Sequence, residues 1–403
     1  MCGEESLTKV MSLTPTPPGN DFLKNEELGR DEPVYPLDLY FCKACHHIQL
    51  GHVVDPQILY QKNYSYVSAT SIHFVNHLKS YATEMVDRFG LQSGDLVADI
   101  GSNDGTCLSF FKQQGMSVVG VDPATDIAER ATENGVKTVA DFFDYDLAVG
   151  LREKYGLAKF LTSHNACAHI DGLLDVVKGV EHWLADDGVF VLEVGYLVDV
   201  YCKNWFDTIY HEHVDYHTVA PFEKLFARVG MELIAVDRIS PQGGSIRVMV
   251  QKQGGAIERD SSVDKLISLE HELGLDKAET LQKFDRKIGE VRDKLQKLIA
   301  SLKNEGKTIA GFGAPTKATT LMAHFRLDKS LLDFIVDDNP LKQGLFTPTN
   351  HIPVLSANAL YERKPNYLII LAWNFAEPIM KFHQKYRDEV GQFILPMPEP
   401  EIV

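Results

Sequence analysis

The stretch from Leu96 to Leu108 leaves this chain few options. Leu96-Val97-Ala98-Asp99-Ile100 is a short apolar run that breaks into Gly101-Ser102-Asn103-Asp104-Gly105, and a helical segment follows at Cys107–Gln113. Strand, glycine turn and helix in that order open a parallel α/β sheet. The glycines let the backbone approach a ligand, and the helix start offers N–H groups to an anion. Ser117–Val121 reads as the next strand and ends in Asp122-Pro123. An acid about twenty residues after such a turn holds both ribose hydroxyls of a nucleoside cofactor. The turn reads G-x-x-x-G rather than G-x-G-x-x-G, and Asp99 stands just before its first glycine. That favours S-adenosylmethionine (SAM) over NAD.

The α/β alternation continues. Val136–Ala140 predicts a short strand, and Asp141-Phe142-Phe143 then sets an acid and two rings where an adenine could lie or where a helix opens on core aromatics. Lys159–Thr162 predicts a strand whose carboxyl end carries His164, Asn165 and His169, the end at which open α/β sheets bind ligands. A helix (Gly172–Trp183), a turn at Asp186–Gly188 and an apolar strand (Val189–Val194) come next. Gly243-Gly244 enters a late strand in which Arg247 is either an anion or substrate contact or an exposed strand arginine.

Tyr210-His211-Glu212-His213-Val214-Asp215-Tyr216-His217 gathers seven proton-carrying side chains in eight residues. Buried polar groups must find partners, and His, Tyr and carboxylates are the usual acids and bases near neutral pH. The apolar anchors Trp205, Phe206 and Ile209 before it, and Phe222, Leu225 and Phe226 after it, argue against a wet surface turn. Tyr210 and His213, three apart, would share a face on a helical turn.

The ends of the chain differ in character. Residues 1–70 are the least regular, with a strand expected at Tyr35–Phe41 and a turn-rich Thr14–Asn20. Cys42-x-x-Cys45 is half of a tetrahedral zinc site or a pair of inert thiols, with Cys2, His46 and His47 the further ligands on offer. Tyr60, Tyr64 and Tyr66 either pack or line a cleft. A helical period covers Ser71–Phe89, and residues 257–303 predict one or two long helices. Beyond them Thr308–Lys317 repeats the pattern of strand, glycine turn and helix, with Lys317 placed to hold a phosphate.

With 403 residues the chain predicts two or three domains. Its net charge of −16 excludes broad attraction to nucleic acid. The absence of a long apolar run predicts no membrane span, and no signal peptide is read, so the expected location is cytoplasmic. Monomer and homodimer are both compatible with the acidic surface.

Together these pieces resemble the sugar C-methyltransferases of deoxysugar pathways, over nearly the whole chain. The blocks that carry the resemblance are Phe41-Cys42-x-x-Cys45, Asp99–Gly105, His164-Asn165-x-x-Ala168-His169, Tyr210–His213, Gly243–Arg247, Gly311–Lys317 and Val336–Gly344. The resemblance implies an α/β chain: a zinc-binding N-terminal domain (residues 1–70), a class I SAM methyltransferase core with a Rossmann-like fold (71–255) and a second Rossmann-like domain (256–403). It implies a nucleoside-diphosphate 4-keto sugar as substrate, whose enolate attacks the SAM methyl group, usually from C3. His213 would be the principal base, Tyr210 the alternative base or enolate donor, and Glu212 would orient or bind the sugar. Tyr66 would reach the site, with His169, Arg247 and Lys317 contacting substrate. Asp99, Gly101, Ser102, Asn103, Gly105, Asp122, Pro123, Asp141, Phe142, His164 and Asn165 would hold SAM. The family carries two C-x-x-C pairs. Cys2 matches the second cysteine of the first pair, whose other member has no counterpart in this sequence.

Two other readings compete. One is an NAD-dependent sugar oxidoreductase or epimerase using Gly311–Lys317, which lacks the third glycine of a dinucleotide turn. The other is a non-catalytic binding protein on a methyltransferase-like fold, which leaves the polar density of residues 210–217 without a use.

Overall fold

The computed structural model describes residues 1–61 and 67–403. Tyr64 and Tyr66 lie outside the described residues.

The described residues form three sheets. The central one has seven strands, and the strand order runs Met231–Ile239, Ser245–Lys252, Leu184–Gly195, Ala158–His164, Leu96–Ile100, Ser117–Val121, Thr138–Val139. Its strands are parallel except Ser245–Lys252, which runs antiparallel to both neighbours. Strand order reverses beside Leu96–Ile100, so the ligand crevice of a doubly wound sheet opens over Asp99 and the glycine turn. Helix Ile72–Phe89 begins on Ser71, whose Oγ accepts from Phe74 N, and ends on the left-handed Gly90. Phe74, Leu78, Tyr81, Ala82 and Met85 form its buried stripe.

The N-terminal sheet is antiparallel: Leu7–Thr16, Tyr35–Cys42, Ile48–Leu50, and then Asp215–Tyr216 from the middle of the chain. Within residues 1–70, expected to be the least regular, pairing with Tyr35–Cys42 makes Leu7–Thr16 the longest strand of this sheet, and it reaches into the turn-rich Thr14–Asn20. The turn expected at Asp186–Gly188 is absorbed into the strand Leu184–Gly195, and the strand expected over Val136–Ala140 shrinks to Thr138–Val139.

The third sheet orders Val354–Leu355, Ile335–Val336, Ile309–Phe312, Tyr367–Ile370, Gln392–Leu395 and Glu401–Ile402, parallel except the last. The charged segment before it forms two helices, Ser262–Glu272 and Ala278–Asn304. In the longer one Leu281, Phe284, Ile288, Val291, Leu295, Ile299 and Leu302 recur at three- and four-residue steps and are buried. This helix and Thr316–Phe325 both pack on strand Leu7–Thr16, which ties the two ends of the chain together.

Candidate active site

A single cavity of about 1260 Å³ runs from the carboxyl edge of the central sheet to that of the third sheet. Ligand pockets usually measure roughly 300–1,000 Å³, so there is room for a cofactor and a second molecule.

At its central-sheet end the walls include Asp99, Gly101, Ser102, Asn103, Asp122, Pro123, Asp141, Phe142, His164 and Asn165. Asp122 receives Asn103 N at 2.8 Å and Ala124 N at 2.9 Å, which fixes the loop around it. Gly101 has φ +75°, and a Cβ there would stand 2.5 Å from that of Ala166. Gly105 is not on the wall; an added Cβ would strike Val136, so its role is packing. Phe142 and Phe143 both line the cavity, and Phe143 is the more buried of the two, stacked near Trp183. The helix starts only at Tyr145, capped by Asp144.

Among the described residues, four buried atoms on this wall lack a hydrogen-bond partner: Asp99 Oδ1, Ser102 Oγ and both ring nitrogens of His164. His164 Nδ1 is 3.9 Å from Asp99 and Nε2 is 4.0 Å from Glu193, separations of an ion pair rather than a hydrogen bond. Burial would lower the His164 pKa, yet Asp99 and Glu193 outweigh it and raise it. Buried polar atoms without partners are costly. These four fit a polar cofactor that supplies the missing hydrogen bonds.

Arg247 does not line the cavity, which corrects the expectation of a substrate contact. Strand register sets Arg247 opposite Glu193, and Glu193 opposite His164. Arg247 Nε donates to Glu193 at 2.8 Å and its guanidinium also holds Glu84 at 2.9 Å. Burial alone would raise the Glu193 pKa; the His77 bond at 2.7 Å and the charges of His164, His77 and Arg247 hold it at about 2.

The polar run occupies the middle of the cavity. Tyr210, Glu212, His213, Asp215 and Tyr216 all line it, together with His169 and Tyr60. Tyr210 and His213 do share a face, but through a non-helical turn closed by His213 N on Tyr210 O at 2.9 Å. Tyr210 Oη stands 2.9 Å from His213 Nε2. His213 Nδ1 stands 2.8 Å from the Thr208 carbonyl. A carbonyl only accepts, so Nδ1 carries the proton and Nε2 receives the Tyr210 hydroxyl. Tyr60 donates to the Glu212 carbonyl at 3.1 Å and meets His169 Nδ1 at 3.0 Å, which assigns His169 the same tautomer. Burial lowers His213 to about 4 and His169 well below its ordinary value, so both rings are neutral at pH 7. Glu212 behaves oppositely: burial raises it to about 7 against the Asn20 bond and the Lys342 charge.

Val214, the one apolar member of the run, anchors it. Its N donates to Ala168 O and its carbonyl accepts from Leu50 N, both at 2.8 Å. Asp215 and Tyr216 then pair with Gln49 and Ile48. Asp215 also takes His47 Nε2 at 2.5 Å. His47 is therefore no partner of the thiols, and His46 stacks on Phe41 instead.

The thiols of Cys2, Cys42 and Cys45 lie within 4.8 Å of one another, with Cys2 and Cys42 at 3.6 Å. A tetrahedral ion with ~2.3 Å bonds to sulfur separates its ligands by roughly 3.8 Å. Burial, then the neighbouring thiols, push Cys45 up to about 12. Only a cation would let three thiolates stand so close, so the cluster fits zinc.

At the third-sheet end Thr316, Lys317, Asn374 and Phe375 form the wall. Lys317 Nζ donates to Asn374 at 2.6 Å, faces Asp207 at 3.6 Å and lies over the Trp205 and Trp373 rings. Asn20 joins the ends: its amide donates to Glu212 Oε1 at 3.2 Å and its oxygen accepts from Thr316 at 2.8 Å. Asn20, His77 and Glu193 carry no mark in the sequence analysis, whereas Tyr60 takes the cleft-lining alternative offered for it. A lone acid inside the apolar run Val189–Val194 was the available signal for Glu193, since such an acid must be paired.

Known proteins resolve the class. Residues 1–60 match a zinc binding domain family, 52–236 a methyltransferase domain family and 240–398 the C-methyltransferase C-terminal domain family. The C-methyltransferase NovU of Streptomyces niveus is 34% identical over 403 residues, covering 100% of this chain and 96% of that protein. The chain belongs to the C-methyltransferase family. It is a SAM-dependent C-methyltransferase, and its N-terminal unit matches a zinc-binding domain in which Cys2, Cys42 and Cys45 form a cluster that fits the metal. Among solved structures it is similar to a geranyl diphosphate methyltransferase in complex with SAM (15% identity, 48% of this chain and 99% of that one, TM-score 0.36). It is also similar to the magnesium protoporphyrin IX methyltransferase of Synechocystis PCC 6803 with bound SAM (14% identity, 44% and 79%, TM-score 0.34). No helix among the described residues of this C-methyltransferase is long and apolar enough to cross a membrane.

Proposed function

We propose that this C-methyltransferase methylates carbon, at C3, of a nucleoside-diphosphate-linked 4-keto deoxysugar. The observation that carries the reading is the single cavity with Tyr210, Glu212 and His213 between two differently equipped ends. Asp99, Ser102, Asp122 and His164 would hold SAM at one end. Thr316, Lys317 and Asn374 would hold the nucleotide diphosphate at the other, at the carboxyl edge of a second parallel sheet.

When bound, SAM supplies an electrophilic methyl group. The chain's part is to form the carbanion, place it and exclude water. A ketone acidifies the carbon beside it, and a base there contributes ~10²–10⁴-fold. His213 is neutral, and its Nε2 holds the Tyr210 hydroxyl. We assign the pair to that step: Tyr210 oxygen takes the substrate proton as its own hydrogen passes to His213 Nε2. His169 then faces the reacting carbon, and Glu212 orients the sugar.

The test is mass spectrometry of nucleotide-linked 4-keto-6-deoxysugars incubated with the protein and SAM. One methyl gained on carbon, with solvent deuterium entering that carbon when SAM is left out, is expected. SAM binding with neither methylation nor exchange of any sugar overturns the sugar assignment.

A further inference from the structure

A second, smaller cavity of about 110 Å³ lies beside the large one. Asn20 and Glu212 line both. Glu212 itself is buried, whereas Pro33 and Ile58, which also line the small cavity, are exposed. The small cavity therefore leads from the Glu212 carboxyl to the surface. It has room for several waters, and Asn20, Asp21 and Glu212 offer them polar partners.

Carbon methylation needs such a route. A C–H bond breaks, a C–C bond forms, and one proton is left inside the protein at every turnover. The imidazole that receives it, His213, is half-buried and weakly basic. We propose that Glu212 passes this proton from the large cavity to water in the small one, which serves as the proton exit. The proposal rests on the carbon-methylation reading above. The carboxylate of Glu212 forms an O–H bond with the incoming proton, and breaking that bond toward water restores it. No oxidant, reductant or further group is consumed. Asn20 fixes one carboxylate oxygen at the junction of the cavities. Glu212 is also more basic than His213, so the proton moves downhill to it.

The test fills the small cavity from its exposed mouth. Ile58→Trp and Pro33→Trp are compared with Val34→Trp, an exposed neighbour that does not line it. Methyl transfer is followed in a single turnover and in steady state, with proton release read by a pH indicator. Both blocking variants are expected to keep the single-turnover rate, because the first proton only needs an empty acceptor. Their steady-state rate and proton release should fall about tenfold, with V34W unchanged. Proton release as fast as in the unsubstituted chain, in a folded blocking variant, overturns the proposal. A single-turnover rate that falls in parallel with the steady-state rate also overturns it, since that is damage to the chemistry. If the unsubstituted chain releases no proton with any keto sugar, the substrate reading fails first and the exit falls with it.

Discussion

The Tyr210 hydroxyl and His213 Nε2 stand 2.9 Å apart with their ring centroids at 4.2 Å, and the Thr208 carbonyl fixes the other side of the imidazole. The pair is thus set in one tautomer before any ligand arrives. His213→Ala should lower kcat by ~10²–10⁴-fold and leave SAM affinity within about twofold, since the ring bonds to Tyr210 and the Thr208 carbonyl rather than to the glycine turn. Calorimetric titration with SAM beside initial rates checks this. Equal losses of binding and rate would remove His213 from the chemistry.

Glu212 sets the pH dependence. Its folded pKa of about 7 lies above the ordinary 4.5, so the folded chain holds this proton more tightly than the unfolded chain. Stability from this group is present below pH 4.5 and is lost as pH rises through 7. The gap corresponds to roughly 3 kcal/mol. Glu212→Gln should therefore be more stable than the parent at pH 8 by denaturant titration, and indistinguishable at pH 4. The parent's steady-state rate is expected to rise near pH 7, and that rise should be absent in Glu212→Gln.

Lys317→Met separates binding from fold. The buried Asp207 keeps Trp373 Nε1 at 2.8 Å but loses its cation, at a cost of roughly 1–3 kcal/mol. KM for the nucleotide-linked substrate should rise about tenfold or more while KM for SAM holds. Parallel rises in both would count against a phosphate role.

Gly101→Ala places a Cβ 2.5 Å from Ala166 at a backbone angle of φ +75°. The turn must shift, so SAM affinity should fall at least about tenfold, with a stability loss of roughly 1–3 kcal/mol. Unchanged SAM affinity by calorimetry would show that the turn does not touch the cofactor.

Metal removal should act on the polar run. One zinc per chain is expected by elemental analysis. Chelation should free three thiols and cost several degrees of Tm. Backbone amides at Gln49 and Tyr216, whose strands pair beside the knuckle, should lose hydrogen-exchange protection before those of Val97 and Val119. Uniform exchange across both sheets would argue against a local role for the metal.

Much of this architecture is legible in residue order. Leu96–Asp122, the helix Ile72–Phe89 and the leucine spacing of Ala278–Asn304 announce themselves, because each is stabilised by contacts its own periodicity predicts. The polar density of Tyr210–His217 likewise marks the middle of the cavity. What stays hidden depends on register between distant segments. Nothing local tells that Arg247 will face Glu193, that Asn20 will bridge Glu212 and Thr316, or that His47 will reach Asp215 rather than a metal. Tyr60 was visible only as one of three tyrosines, and its bonds to His169 and Glu212 exist only once the N-terminal sheet is docked.

The two-residue strand Asp215–Tyr216 sits in the N-terminal sheet although it comes from the middle of the chain. The N-terminal unit is consequently not an interchangeable module. A chimera that borrowed residues 1–60 from a relative would face a foreign edge at Ile48–Leu50 and a foreign neighbour for His47. Grafts of this kind should work only when the donor's counterpart of residues 210–217 is carried along with them, so the two segments are expected to be inherited as a pair.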